Sequence, residues 1–232
     1  IAKRADRILT AVPTDLPTSQ SPTGVPLRRS VLPQGSAESC RLSLGLHPDR
    51  PTLLVTGASQ GAQSIDRFLL DLIPRHGDWF DGWQVLHLAS EDSVSLLTEE
   101  YAVGGIKAVV LPFLDQMGAA WGGADLAITR GGASSLAEVA ASRTPSIVIP
   151  YPWHEDEHQL ENAKELERAG AVVILRDPAK GLAALTALES RLAILLRTPD
   201  LRAKMQASFP VMEGDAASVV AQMLLHPAEL PS

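Results

Sequence analysis

The sequence holds a single cysteine, Cys40. That excludes an internal disulfide and a multi-cysteine zinc site, and it fits a reducing compartment. Basic runs are missing too, and the formal net charge is −7. Nucleic-acid phosphates need a concentrated basic face, so a nucleic-acid partner is disfavoured and any anionic ligand must be held by local donors. No apolar stretch reaches the roughly 18 residues of a membrane span, and nothing has the layout of a signal peptide. No repeat with a period of about 20 to 50 residues is evident. The chain also lacks an initiating methionine and opens directly in IAKRADRILTAVP, which reads as the end of something larger. What remains is ordinary globular material: 45% hydrophobic and 20% charged residues in a chain of 232, enough for one large core or two small ones.

ADRILTAVP reads as a helix end followed by a short strand. Residues 13–36 are rich in Pro, Ser, Thr and Gly and have no hydrophobic period, the mark of a connector. A second short helix is expected from Ala37 to Leu44. From Pro51 onward an alternation begins. TLLVT is a continuous apolar run of the kind buried parallel strands show, and a helical pattern follows from Ala62 to Ile73 with Ile65, Leu69 and Leu72 on one face. Further strands read at WQVLHLA, IKAVVLPF, DLAITR, TPSIVIPY and AVVIL, with helices between them and at 180–196, 199–207 and 215–226. This predicts an α/β fold, a Rossmann-like parallel sheet with helices on both faces. The expected division is 1–12 as the tail of a first domain, 13–49 as connector, and 50–232 as one domain. Ligands of such sheets sit beyond the carboxyl ends of the strands, which directs attention to those loops.

VTGASQGAQ, residues 55–63, is the first such loop. Gly57 to Gly61 fits G-x-S-x-G, the nucleophile elbow of α/β-hydrolases, but few strands precede it to build a hydrolase sheet. It also fits a tight structural turn, or a glycine loop whose amides cradle a phosphate at a helix N-terminus. G-x-G-x-x-G is absent, which disfavours a dinucleotide. His154 to His158 matches H-E-x-x-H, the zinc signature, yet PYPW precedes it directly. A helix starting at Asp156 would leave His154 outside and remove the shared face zinc needs. The alternatives are a solvated acidic turn or a sugar-binding helix start. In AITRGGASSLAEVA, Ser135 and Glu138 have capping-box spacing; the same carboxylate could instead accept ribose hydroxyls beside a Gly-Gly strand end. Phe113, after a strand and a proline, suits either the core or the face of a base.

The ordered set GASQGA, PFLDQM, TRGGASSLAEVA, IPYP and DEHQLENA resembles the MurG family. That family transfers N-acetylglucosamine from its uridine diphosphate to a lipid-linked peptidoglycan precursor, a step in building the cell wall that underlies cell shape and division. The resemblance covers roughly Gly24 to Asp215 and implies the C-terminal, donor-binding domain of a GT-B type glycosyltransferase. By position it places Arg28 and Ser59, with Gln60 and Gly61, on the diphosphate, and Phe113 and Leu114 on uracil. Glu138, beyond Gly132, falls on the ribose, and His158 and Gln159 on the sugar hydroxyls. Ala58 stands where the family has a second loop glycine, and Val25 where it has asparagine. The resemblance implies no metal and no cofactor, because Arg28 and helix N-termini can neutralise the leaving diphosphate. It assigns no catalytic base. The lipid-linked acceptor would come through an N-terminal domain or a partner chain, at the cytoplasmic, inner face of the plasma membrane. Two other readings use the same site: a soluble UDP-sugar-binding subunit, or a related transferase or epimerase with another UDP-sugar.

Overall fold

A computed structural model of the chain describes residues 24–57, 63–152, 158–210 and 216–225. These fall into two compact units, 24–28 with 216–225, and the described residues between 29 and 210.

In the larger unit, helix α1 (Ala37–Ser43) leads to strand β1 (Thr52–Thr56), then α2 (Gln63–His76), β2 (Gln84–Leu88), α3 (Val94–Val103) and β3 (Lys107–Leu111). The second half runs α4 (Met117–Gly123), β4 (Leu126–Thr129), α5 (Ala133–Ser142), β5 (Ser146–Val148), α6 (His158–Arg168) and β6 (Val172–Ile174), closing with α7 (Leu182–Arg197) and α8 (Pro199–Ala207). All six strands are parallel, in the order β3-β2-β1-β4-β5-β6. The order reverses between β1 and β4, so a crevice opens beyond their carboxyl ends.

The apolar runs are explained by two cores, one on each face. Successive β1 residues alternate between them: Leu53 and Val55 enter one core and Leu54 the other, as the two-residue period of a strand requires. The first core is closed by α2, α3 and α7, and on α2 Ile65, Phe68, Leu69, Leu72 and Ile73 follow helical spacing. The second is closed by α4, α5 and α6 through Trp121, Leu136, Val139, Ala163 and Leu166. Burying a leucine-sized side chain contributes about 1.5–3 kcal/mol, so these two cores dominate the stability of the unit. β3 stops at Leu111 because Pro112 has no N–H for the ladder.

Residues before β1 are tied to the amino ends of the strands. Arg41 of α1 donates to Gly123 O (2.9 Å), Pro48 O (2.7 Å) and Asp125 Oδ2 (2.9 Å), and Asp125 also takes the Thr52 amide at 2.7 Å. Against α4 the backbone approaches closely: a Cβ on Gly118 would stand 2.2 Å from Leu32 O, so only glycine fits there. In the smaller unit, α9 (Ala216–Leu225) carries exposed Leu224 and Leu225, and Gly24 has φ +77.

Candidate functional site

Three loops at the carboxyl edge carry the sequence-derived candidates. After β3 the chain turns through Pro112, and Phe113 stands 71% exposed. That exposure removes the core alternative for this ring. Leu114 is half-buried and packs on the second core, which seats the loop against α4 and its neighbours.

The second loop, Arg130-Gly131-Gly132, joins β4 to α5. The expected capping box is not what forms. α5 begins at Ala133 with Gly132 as N-cap and no side chain capping it, so Ser135 lies inside the helix and Glu138 in its second turn. The reason is a stitch to α6. A Cβ on Gly131 would meet Gln159 O at 2.3 Å, and Gly131 N donates to Gln159 Oε1 at 3.2 Å. This fixes the turn ahead of the helix and starts α5 earlier than a Ser cap would. Glu138, released from capping, accepts a 2.7 Å hydrogen bond from Trp121 Nε1. Gly132 is under no such constraint: its φ is −62 and the nearest atom to an added Cβ is Ser135 Oγ at 3.8 Å.

The third loop leads into α6, whose first residue is the exposed His158. Gln159 accepts from both Gly131 N and Tyr151 N (2.9 Å), so the atom facing those two donors must be its carbonyl oxygen. Its Nε2 is therefore the end left to meet an acceptor on a ligand. The Asp156 helix start and His154 lie outside the described residues, as do Ser59, Gln60 and Gly61. Arg28 is exposed and belongs to the smaller unit.

Beneath these loops lie polar groups that sequence reading did not single out. Arg130, 4% exposed, donates to Asp177 Oδ2 (2.6 Å), Ile149 O (3.2 Å) and Ser64 Oγ (2.9 Å). Asp177 also accepts from Ser64 Oγ at 2.7 Å and caps the turn at Ala179 N at 2.8 Å. One ion pair thus joins the end of β4, the first turn of α2 and the segment after β6. Two cavities, of 480 and 560 Å³, open beside it and share Tyr151, Pro152 and Asp177 as walls.

A second network holds the first turn of α2 from the other side. His87 Nε2 contacts Asp66 Oδ1 at 3.1 Å and Nδ1 contacts Tyr101 Oη at 3.1 Å. A carboxylate only accepts, so Nε2 carries the hydrogen and Nδ1 receives the tyrosine proton. Burial pushes the Tyr101 phenol up, which keeps that proton in place. For Asp66 burial acts upward, but hydrogen bonds from His87 and from the Ser90 hydroxyl and amide outweigh it and hold the carboxyl below its usual range.

Residues 52–218 match the family described as "Glycosyltransferase family 28 C-terminal domain". A curated relative from Sorangium cellulosum (strain So ce56) is 38% identical over 211 residues, covering 90% of this chain and 49% of its own length. One from Xylella fastidiosa (strain M12) is 34% identical over 228 residues, covering 97% and 60%. Both carry the name "UDP-N-acetylglucosamine--N-acetylmuramyl-(pentapeptide) pyrophosphoryl-undecaprenol N-acetylglucosamine transferase". The crystal structure of Acinetobacter baumannii MurG has a similar fold, with TM-score 0.67 at 23% identity over 97% of this chain and 61% of that one. The chain spans about half the length of the curated relatives it matches.

Proposed function

The chain belongs to the glycosyltransferase family 28 C-terminal domains, and we propose that it supplies the UDP-N-acetylglucosamine site of an enzyme that glycosylates a lipid-linked peptidoglycan precursor. Its sheet is of the Rossmann-like GT-B type. The observation that carries the reading is the gathering at one carboxyl edge of an exposed aromatic, an anchored carboxylate, an uncapped helix N-terminus and a one-sided glutamine.

Each group has a role suited to its chemistry. The exposed ring of Phe113 offers a face for uracil, and the Leu114 backbone a reader of the base edge. Glu138, whose Oε2 accepts from Trp121 Nε1, supplies a carboxylate suited to ribose hydroxyls. The first-turn amides of α5, reached over the small Gly132, and the loop of Ser59, Gln60 and Gly61 suit the diphosphate. His158 and Gln159 take the sugar, Gln159 by donating from Nε2 to a sugar oxygen.

Transfer then proceeds by inversion. An acceptor hydroxyl oxygen attacks the anomeric carbon from the face opposite the diphosphate, the bond from that carbon to the phosphate oxygen breaks, and UDP departs with the electron pair. Amide dipoles stabilise the charge that grows on the leaving oxygen. The acceptor proton passes to a base, and none of the residues named here has that part. The acceptor is bound by a further domain or partner chain at the cytoplasmic membrane face; among the described residues no helix is long and apolar enough to cross a membrane.

Calorimetric titration of the folded chain with UDP-N-acetylglucosamine, UDP, UDP-glucose and ADP tests this. The expected result is saturable binding that requires uridine and strengthens with the acetamido sugar. Preference for ADP, or for UDP-glucose over UDP-N-acetylglucosamine, refutes the assignment.

A further inference from the structure

We propose that the 480 Å³ cavity beside the first turns of α2 takes the peptide of the lipid-linked acceptor, with Arg67 and Asp71 as its charged contacts. The inference rests on the donor reading above and adds a contact for the acceptor on this chain, its lipid end staying with the further domain or partner chain.

Arg67 and Asp71 fall one turn apart on α2, at i and i+4, where opposite charges stand about 5–6 Å from each other and commonly bridge. Here they do not. Both residues are exposed and both line the cavity, and among the described residues neither side chain has a hydrogen bond or ion pair. The order, cation before anion, is the weaker one along a helix dipole, which leaves both ends available. The deeper polar groups of the wall satisfy one another instead. Asp177 takes Arg130 at 2.6 Å and Ser64 at 2.7 Å, and Arg130 also donates to Ser64. Phe68, Pro178 and Leu185 add apolar surface. The hollow thus combines one unpaired charge of each sign with an apolar lining, in a volume within the roughly 300–1,000 Å³ of ligand pockets.

That mixture selects among the parts of an acceptor. The name of the curated relatives describes a pentapeptide, a pyrophosphate and undecaprenol joined through a muramyl sugar. A pyrophosphate would face the carboxylates of Asp71 and Asp177, and undecaprenol offers nothing to a guanidinium. A peptide is the part that can carry both signs of charge beside aliphatic side chains, so it meets Arg67, Asp71 and the apolar surface together. Position agrees with this choice. The cavity shares Tyr151, Pro152 and Asp177 with the 560 Å³ cavity lined by Gln159, the residue read above as a sugar contact. An acceptor hydroxyl that attacks the anomeric carbon stands next to the donor sugar, and a peptide attached to the acceptor falls beside that neighbouring hollow.

The test is an NMR titration of the isotope-labelled full chain with three soluble probes: N-acetylmuramyl-pentapeptide, the same sugar with its carboxyl capped as a methylamide, and inorganic pyrophosphate. We expect saturable binding of the pentapeptide alone, with the largest shifts at residues lining the cavity. Arg67→Gln and Asp71→Asn should each weaken it about three- to tenfold, as for loss of a partly exposed charged contact. The UDP affinity of both variants should stay within about twofold of the parent. Full pentapeptide affinity in both variants overturns the proposal. So does equal binding of the capped sugar, which would give the site to the sugar, or displacement of the peptide by pyrophosphate, which would give it to an anion. No pentapeptide binding by a chain that still binds UDP-N-acetylglucosamine overturns it and leaves the donor reading standing. Pentapeptide binding that depends on Arg67 and Asp71, in a chain that binds no UDP, upholds the peptide site and removes the donor reading.

Discussion

Substituting Asp177 by alanine should be among the most damaging single changes in this fold, although the residue lies in none of the recognisable motifs. The Arg130 and Asp177 side chains are 5% and 0% exposed, and their contact is 2.6 Å. Asp177 also satisfies Ser64 Oγ and Ala179 N. Removing it leaves a guanidinium buried without its counter-charge, and Arg130 Nε already has no hydrogen-bond partner among the described residues. Breaking a buried pair in this way costs about 3–5 kcal/mol, and a lost turn cap adds about 1 kcal/mol. Against a typical domain stability of about 5–15 kcal/mol, that is a large share. Urea unfolding followed by the fluorescence of the buried Trp83 and Trp121 measures it, through the shift in midpoint at constant slope. The control is the double variant Arg130→Met with Asp177→Leu. It removes both charges and should recover most of the loss, because apolar replacement of a buried pair is often near neutral. A change below about 1 kcal/mol for Asp177→Ala would refute the argument, since it would mean that water reaches the guanidinium. An equal loss in the double variant would refute it too, by showing that shape rather than charge is at stake.

The two glycines after Arg130 should separate stability from binding. Gly131→Ala forces a Cβ to within 2.3 Å of Gln159 O and should lower the melting temperature, whereas Gly132→Ala, among the described residues, meets only Ser135 Oγ at 3.8 Å and should melt like the parent. Titration of Gly132→Ala with UDP should nevertheless show weakened binding, because the methyl would occupy the approach to the α5 amides; unchanged affinity would move the diphosphate elsewhere. Asp66 makes a prediction in pH. Its folded pKa lies below the unfolded value of about 3.9, so the unfolded chain takes up the proton first. Its contribution is complete above about pH 4 and drains away as pH falls through the folded pKa. Urea midpoints taken from about pH 6 down to about pH 3 should fall more steeply in the parent than in Asp66→Asn, and parallel slopes would contradict the hydrogen-bond account.

How much of this was legible in the sequence depends on the distance over which each feature is decided. A strand covered on both faces shows as an apolar run, so TLLVT and its successors declare themselves, and a helix with one buried face shows its period. Local patterns fail where a distant residue decides. Ser135 and Glu138 have capping spacing, but the start of α5 is settled by Gly131 packing on Gln159, 28 positions later. Phe113 after a strand reads more readily as core than as a ligand contact in sequence, and only the turn after Pro112 exposes it. The contacts that hold the site are remoter still: Arg130 to Asp177 spans 47 positions and Ser64 to Asp177 spans 113. They exist because β1 and β4 are neighbours, and alternation of strands and helices does not by itself say which strands pair. Reversal of strand order at that seam brings the first turn of α2 beside the end of β4. The candidate binding residues therefore cluster in short motifs along the chain. The residues that tie these loops together, Trp121, Arg130 and Asp177, are scattered, since each is defined by a partner on another element rather than by its own neighbours.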